Sequence, residues 1–242
     1  MAGIKWTETE LFQLLMLYCE IPFGKLHARN PEIIELAKRL NRTPSAVALK
    51  MVNFASLDPT LSQKGMANVS ALDRKVWDEF FNNIDHYFSA DSEPEERLSE
   101  RPQEDFLSCG SYDAIDVLTS VKARRGQQRF RRVVLASYDR QCAISRISNE
   151  QLLVASHIAP WATHKNRRLD PRNGICLNAL LDRAFDAGLI AFSDDCDVIY
   201  SSSLSGETIE QMMRMGTRFH VPAKFAPDVE LLREHRRYFG FP

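Results

Sequence analysis

Apolar positions in the N-terminal part of the chain recur at helical spacing. WTETELFQLLMLYCEI opens on Thr7 with Glu10 three residues on, a reciprocal capping pair ahead of an apolar run, and predicts a helix. In NPEIIELAKRLNRTPSAVALKMVNFASLD the pattern restarts twice. Asn30 and Pro31 supply a cap and a first-turn proline for a helix whose Ile33, Ile34, Ala37 and Leu40 share a face. After the turn Asn41-Arg42-Thr43, Pro44 opens another helix carrying Ala46, Val47, Leu49 and Met51. A further helix is expected over Ser70–Tyr87, with Trp77, Phe80, Phe81 and Ile84 closing the core. Near the other end, GLIAFSDDCDVIYSSSL alternates at period two and predicts a hairpin turning at Asp194-Asp195, followed by a last helix over Pro227–Phe239.

The acidic, structure-poor stretch SADSEPEERLSERPQED, residues 89–105, separates these patterns and reads as a linker between a helical domain, 1–88, and a mixed domain, 106–242. The fold class is therefore α+β. Helix, tight turn, helix in the first domain resembles a helix-turn-helix module. Its second helix is expected to present Ser45, Lys50 and Asn53 outward, with Arg42 and Thr43 at its N-terminal end for phosphate, and Lys50 is the candidate DNA contact. The same geometry also serves as plain helix packing.

A hydrophobic content of 44% with 26% charged residues places the chain among globular proteins and excludes a disordered one. No apolar span of membrane length and no signal peptide is visible, so a cytoplasmic protein without membrane contact is expected. Cys19, Cys109, Cys142, Cys176 and Cys196 form no C-x-x-C pair, and a structural zinc is not expected. The net charge of −1 conceals an uneven distribution, because residues 121–183 hold 13 Lys or Arg against four acids, a balance of +9. Such a concentration suits a phosphate backbone, whose neutralisation and counterion release supply sequence-independent affinity. Candidate DNA contacts are Arg124, Arg125, Arg129, Arg131, Arg132, Lys165, Arg167, Arg168 and Arg172.

The same region carries a chemical constellation. In SHIAPWATHKNRRLDPRNGICLNALLDRAFDAG, Asn173 follows His157 by 16 residues, and Asp182 and Asp186 follow Asn173 by 9 and 13. Phosphodiester hydrolysis needs a base for water and a divalent cation to offset developing charge. His157 is the candidate base, since a neutral imidazole accepts a proton near neutral pH. Asn173 is the amide suited to orient it across a short strand–turn segment. NALLDRAFDAG reads as a helix ending at Gly188, which puts Asp182 and Asp186 on one face as oxygen ligands for one hard cation. His164, in a polar loop, and His235, in LREHRR, are expected at the surface.

These residues resemble the HNH endonuclease family, in its bacterial restriction-endonuclease-like branch. The match runs over about 124–190 through a C-A-I-S start at Cys142, ASHI-PW at Ala155–Trp161, then NG and R-AFD-GL down to Leu189. The resemblance implies a ββα-metal motif, with strands at about Gln141–Ser145 and Gln151–His157 and a helix at Leu177–Ala187. It implies His157 as general base, Asn173 as the central Asn, the third position at Asp182, and Asp186 as a further ligand of Mg²⁺ or Mn²⁺. Ser156 stands where many relatives have Asp or His, and Leu181 where close relatives often have His. The implied activity is hydrolysis of double-stranded DNA in restriction or phage defence, with a homodimer if both strands are cut. The alternative is a catalytically weakened HNH-fold DNA-binding protein.

Overall fold

Local capping chemistry sets the N-terminal helices where the periodicity puts them. The computed structural model describes residues 5–59, 61, 69–89, 114–160 and 164–242, without the side chains of 114–122 and 165. The expected linker beyond Ser89, Cys109 and Trp161 lie outside the described residues. Helix α1 (Glu8–Glu20) carries the Thr7–Glu10 capping box, α2 (Pro31–Arg39) is capped by Asn30, and α3 (Pro44–Ala55) by Thr43. The single helix expected over Ser70–Tyr87 is two, α4 (Ala71–Asn82) and α5 (Ile84–Ser89), broken at Asn83.

Beyond the undescribed segment comes α6 (Ala114–Ser137), a 24-residue helix that the periodicity did not single out. It is followed by β1 (Leu153–His157), β2 (Gly174–Asn178), α7 (Ala179–Asp186), β3 (Ile190–Phe192), β4 (Val198–Tyr200), α8 (Gly206–Met213) and α9 (Val229–Tyr238). β1 and β2 pair antiparallel with His157 opposite Gly174, and β3 and β4 form the expected hairpin. The mixed α+β class holds. The strand expected at Gln141–Ser145 is instead a turn segment. Asp139, Arg140 and Arg146 adopt left-handed φ values of 52°, 55° and 60°, which end any extended run there. The partner strand of β1 is Gly174–Asn178, so the helix expected from Leu177 begins only at Ala179.

Residues on both sides of the acidic stretch share one hydrophobic core. Helix α6 packs on α1, α5 and β1. Phe225, from the segment before α9, stands edge-on to Tyr18 with ring centroids 6.1 Å apart and lies 5.6 Å from Phe81. Beside it, fully buried Lys224 donates to the carbonyls of Tyr18 at 2.5 Å, Cys19 at 3.3 Å and Ile21 at 2.6 Å. These are orphan acceptors at the C-terminus of α1, where the helix dipole favours a cation. Burial lowers the Lys224 ammonium to about 8, against the opposing influence of Cys19, Asp58, Asp139 and Glu20. Lys224→Met keeps the bulk but strands three carbonyls, and is expected to lower stability by roughly 2–4 kcal/mol in denaturant titration.

The basic run and Lys50 serve this packing more than their sequence context suggests. Lys50, expected to point outward, instead pairs at 3.1 Å with the buried Asp73 that caps α4. Asn53 is buried, and Arg42 turns to Glu10 at 3.0 Å and stacks over Trp6. Arg129, 5% exposed, donates to Glu20 at 3.2 Å and to the Tyr87 and Phe88 carbonyls at 3.1 and 3.3 Å. Arg131 ties α6 to the carbonyls of Leu153 at 2.7 Å and Glu150 at 3.0 Å. Lys50, Arg129 and Arg131 therefore hold the fold, because a buried or half-buried cation keeps its charge only where carboxylates or carbonyls face it. No described helix is long and apolar enough to cross a membrane.

Candidate active site

His157 ends β1 and stacks on Phe130 of α6, with ring centroids 4.2 Å apart and planes within 8°. Gly174, its partner across the ladder, makes that approach possible: a Cβ there would lie 2.4 Å from Val134 and 2.8 Å from the Phe130 ring. The His157 Nε2–H donates to the carbonyl of Arg168 at 2.9 Å. Because a carbonyl only accepts, this bond selects the Nε2–H tautomer and assigns the lone pair of the neutral ring to Nδ1. Burial holds the imidazole below its usual pKa, opposed by the Arg168 carbonyl and by the charge of Asp182. A neutral ring follows.

The side-chain hydrogen bonds of Asn173 run to the loop that follows β1. Fully buried, it accepts from the Ala159 N–H at 2.8 Å and donates to the carbonyls of Ala159 at 3.3 Å and Arg167 at 3.0 Å. It thereby pins the loop that presents the Arg168 carbonyl, and orients His157 at one remove.

Asp182 and Asp186 stand one turn apart on α7. Asn178 caps that helix through Leu180 and Leu181 at 3.1 and 3.0 Å, and reaches Ser145 at 2.9 Å. Gly188, at φ 64°, closes it in a Schellman turn, with Leu189 N–H to the Ala184 carbonyl at 2.8 Å and Gly188 N–H to the Phe185 carbonyl at 3.0 Å. Burial raises the Asp182 carboxyl, while Ser156, Arg183 and His157 oppose the rise. Asp186 is raised by burial of its carboxyl and then by the charge of Asp182. Two mutually repelling carboxyls beside an imidazole suit a hard cation that completes its shell with water and phosphate oxygens. Among the described residues no group of three or more His, Cys, Asp or Glu is placed to hold a metal. Leu181 points into the core, 1% exposed, and contributes no donor.

Other expected residues fall as follows. Arg167 pairs with Asp170 at 3.2 Å and with Asp228, and Arg172 brackets Asp170 at 2.8–2.9 Å. Arg132 lies 3.5 Å from Glu20. Arg124 and Arg125 are exposed on α6, Arg168 is half-buried in the His157-holding loop, and the Lys165 side chain lies outside the described residues. His164 is half-buried and faces Glu234 at 3.3 Å. His235, expected at the surface, is 8% exposed and stacks on Phe185 at 3.8 Å, because its face of α9 is the one turned toward α7. Burial lowers it to about 4. Phe130 and Asn178 were missed as parts of the site. Only Asn178 had a local signal, a cap residue just ahead of an apolar-periodic run.

The antiparallel pair β1–β2 leads directly into α7, with His157 on the strands and Asp182 and Asp186 on the helix. Residues 142–193 match the family model described as HNH endonuclease, and the chain carries a domain of that family over this span. No curated protein matches the chain.

Proposed function

We propose that the chain is a divalent-metal-dependent endonuclease that hydrolyses double-stranded DNA, in a restriction or phage-defence role. The observation that carries this reading is a neutral His157, fixed in one tautomer, beside two carboxyls on α7 that repel one another. His157 takes the proton of the attacking water at Nδ1. Asp182 and Asp186 hold the ion, which when bound offsets charge on the scissile phosphate. Arg124 and Arg125 on α6, Arg168 and Lys165 in the loop, and exposed Arg183 supply phosphate contacts. The helix-turn-helix-like α2–α3 unit braces this half, since Lys50 and Asn53 turn inward. Cutting both strands with one such site per chain calls for a homodimer, and DNA as substrate places the work in the cytoplasm.

The buried Leu181 and the hydroxyl at Ser156 favour a second reading, a DNA-binding protein that has lost cleavage. Plasmid digestion separates the two. Nicking or linearisation with Mg²⁺ or Mn²⁺, abolished by EDTA, is the expected result; retention on DNA in a gel shift with no cleavage under any metal would sink the enzyme and leave the binder.

A further inference from the structure

The loop that offers its Arg168 carbonyl to His157 is laced by two arginines and two aspartates in alternation. Buried Asp170 accepts from the Arg172 backbone N–H at 2.9 Å and from its guanidinium at 2.8–2.9 Å, and lies 3.2 Å from Arg167 Nε. Arg167 also donates through Nη2 to the carboxylate of Asp228, 61 residues on. Asp228 holds the loop a second time, since its own N–H donates to the Arg172 carbonyl at 2.9 Å. It thus grips both ends of 167–172. The same residue caps α9, its Oδ1 accepting from the Glu230 N–H at 3.0 Å, so its place is set by the helix it begins. One turn and a half further along α9, Glu234 faces His164 of the loop at 3.3 Å.

We propose that Asp228 is a positioning residue for the general base, keeping the Arg168 carbonyl on His157 by clasping Arg167 and Arg172; this rests on His157 being that base. A carbonyl selects an imidazole tautomer only while it stays in place, and here it belongs to a loop with no strand partner of its own. Two anchors hold that loop. From inside, Asn173 donates to the Arg167 carbonyl at 3.0 Å. From outside, Asp228 takes the Arg167 guanidinium, one residue from the carbonyl that matters, in a charge-assisted hydrogen bond that is directional as well as strong. Partners of this outer kind fix the orientation of a working histidine and the basicity of its free nitrogen. Arg167 and Arg172 are thereby committed to carboxylates, not to phosphate. Asp228 lies beyond residues 142–193, which match the family model, so the last helix belongs to the catalytic unit although it carries none of the reacting groups.

The test uses Asp228→Asn, which keeps a helix cap and the backbone N–H to Arg172 but loses the charge that holds Arg167. Arg167→Met removes the other partner and decides alone should the first variant fail to fold. In the metal-free full-length protein, the two ring ¹⁵N shifts of His157 are expected to converge in either variant, as the Nδ1–H tautomer gains population. In cleavage assays kcat is expected to fall roughly tenfold with KM little changed. The double variant is expected to lose no more than the worse single one, because both changes open the same clasp. Wild-type His157 shifts in a folded variant overturn the proposal, and so does a variant that melts lower while those shifts stay put, since Asp228 would then only brace the fold. The shifts are read without metal or DNA, so a wild-type protein that cleaves nothing would remove the proposed function and still leave the clasp decided by the spectra.

Discussion

Replacing His157 with alanine is expected to lower metal-dependent DNA cleavage by about 10²–10⁴-fold, the usual contribution of a general base. The site explains why nothing else would substitute for it. The other ionisable side chains assigned to the site are Asp182 and Asp186, which the reading commits to the ion, while Asn173 is consumed by the carbonyls of Ala159 and Arg167. Truncation removes a ring stacked on Phe130, but β1 keeps its ladder to β2 and Asn173 keeps the loop, so folding and DNA affinity are expected to stay near wild type. His157→Ala therefore separates binding from cutting. Gel-shift affinity and single-turnover cleavage on one duplex check it, and turnover like that of the wild type would move the base elsewhere. In the parent protein, burial holds His157 below its ordinary pKa near 6.5. The acid limb of the cleavage profile is accordingly expected below that value, since the base works only once deprotonated.

What could be read from the chain divides by the range of the interaction. Thr7 with Glu10, Asn30 with Pro31, and Thr43 with Pro44 are contacts between near neighbours, so the starts of α1, α2 and α3 stand in the pattern of residues itself. So does the one-turn spacing of Asp182 and Asp186. Strand β2 escaped because all five of its residues are buried, which erases the alternation that marks a half-exposed strand. The basic run misled for a different reason. Counting charge along 121–183 cannot see that Glu20, 109 residues before Arg129, sits beside it, or that the carbonyls of Leu153 and Glu150 meet Arg131. Likewise LREHRR looks polar, yet Leu231 and His235, four apart, form the face of α9 that is buried. The acidic stretch marks a change of composition, but the core on its two sides is shared, and Lys224 reaches across that boundary to the end of α1.

Asp182→Asn is expected to move activity and stability in opposite directions, an outcome that an ordinary surface aspartate would not produce. Both α7 carboxyls lie above the ordinary aspartate value of 3.8, each chiefly through burial, and Asp186 is pushed further by Asp182. For an acid whose folded pKa is raised, the native state binds more protons than the unfolded chain, so stability falls as pH rises through that window. The destabilisation is absent below the unfolded pKa and complete above the folded one. A cation bound between the carboxylates cancels it. Neutralising Asp182 should consequently raise the melting temperature of the metal-free protein at neutral pH while raising the Mn²⁺ concentration needed for half-maximal cleavage and lowering the rate at saturation. Asp186→Asn should shift both in the same sense but less in stability, being the more exposed of the two. The added thermal shift on Mn²⁺ binding should shrink in both variants, because ligand stabilisation scales with affinity for the native state. A metal-free melting temperature that falls in Asp182→Asn, together with an unchanged Mn²⁺ titration, would mean that α7 carries these carboxylates for its own structure and that the ion is held elsewhere.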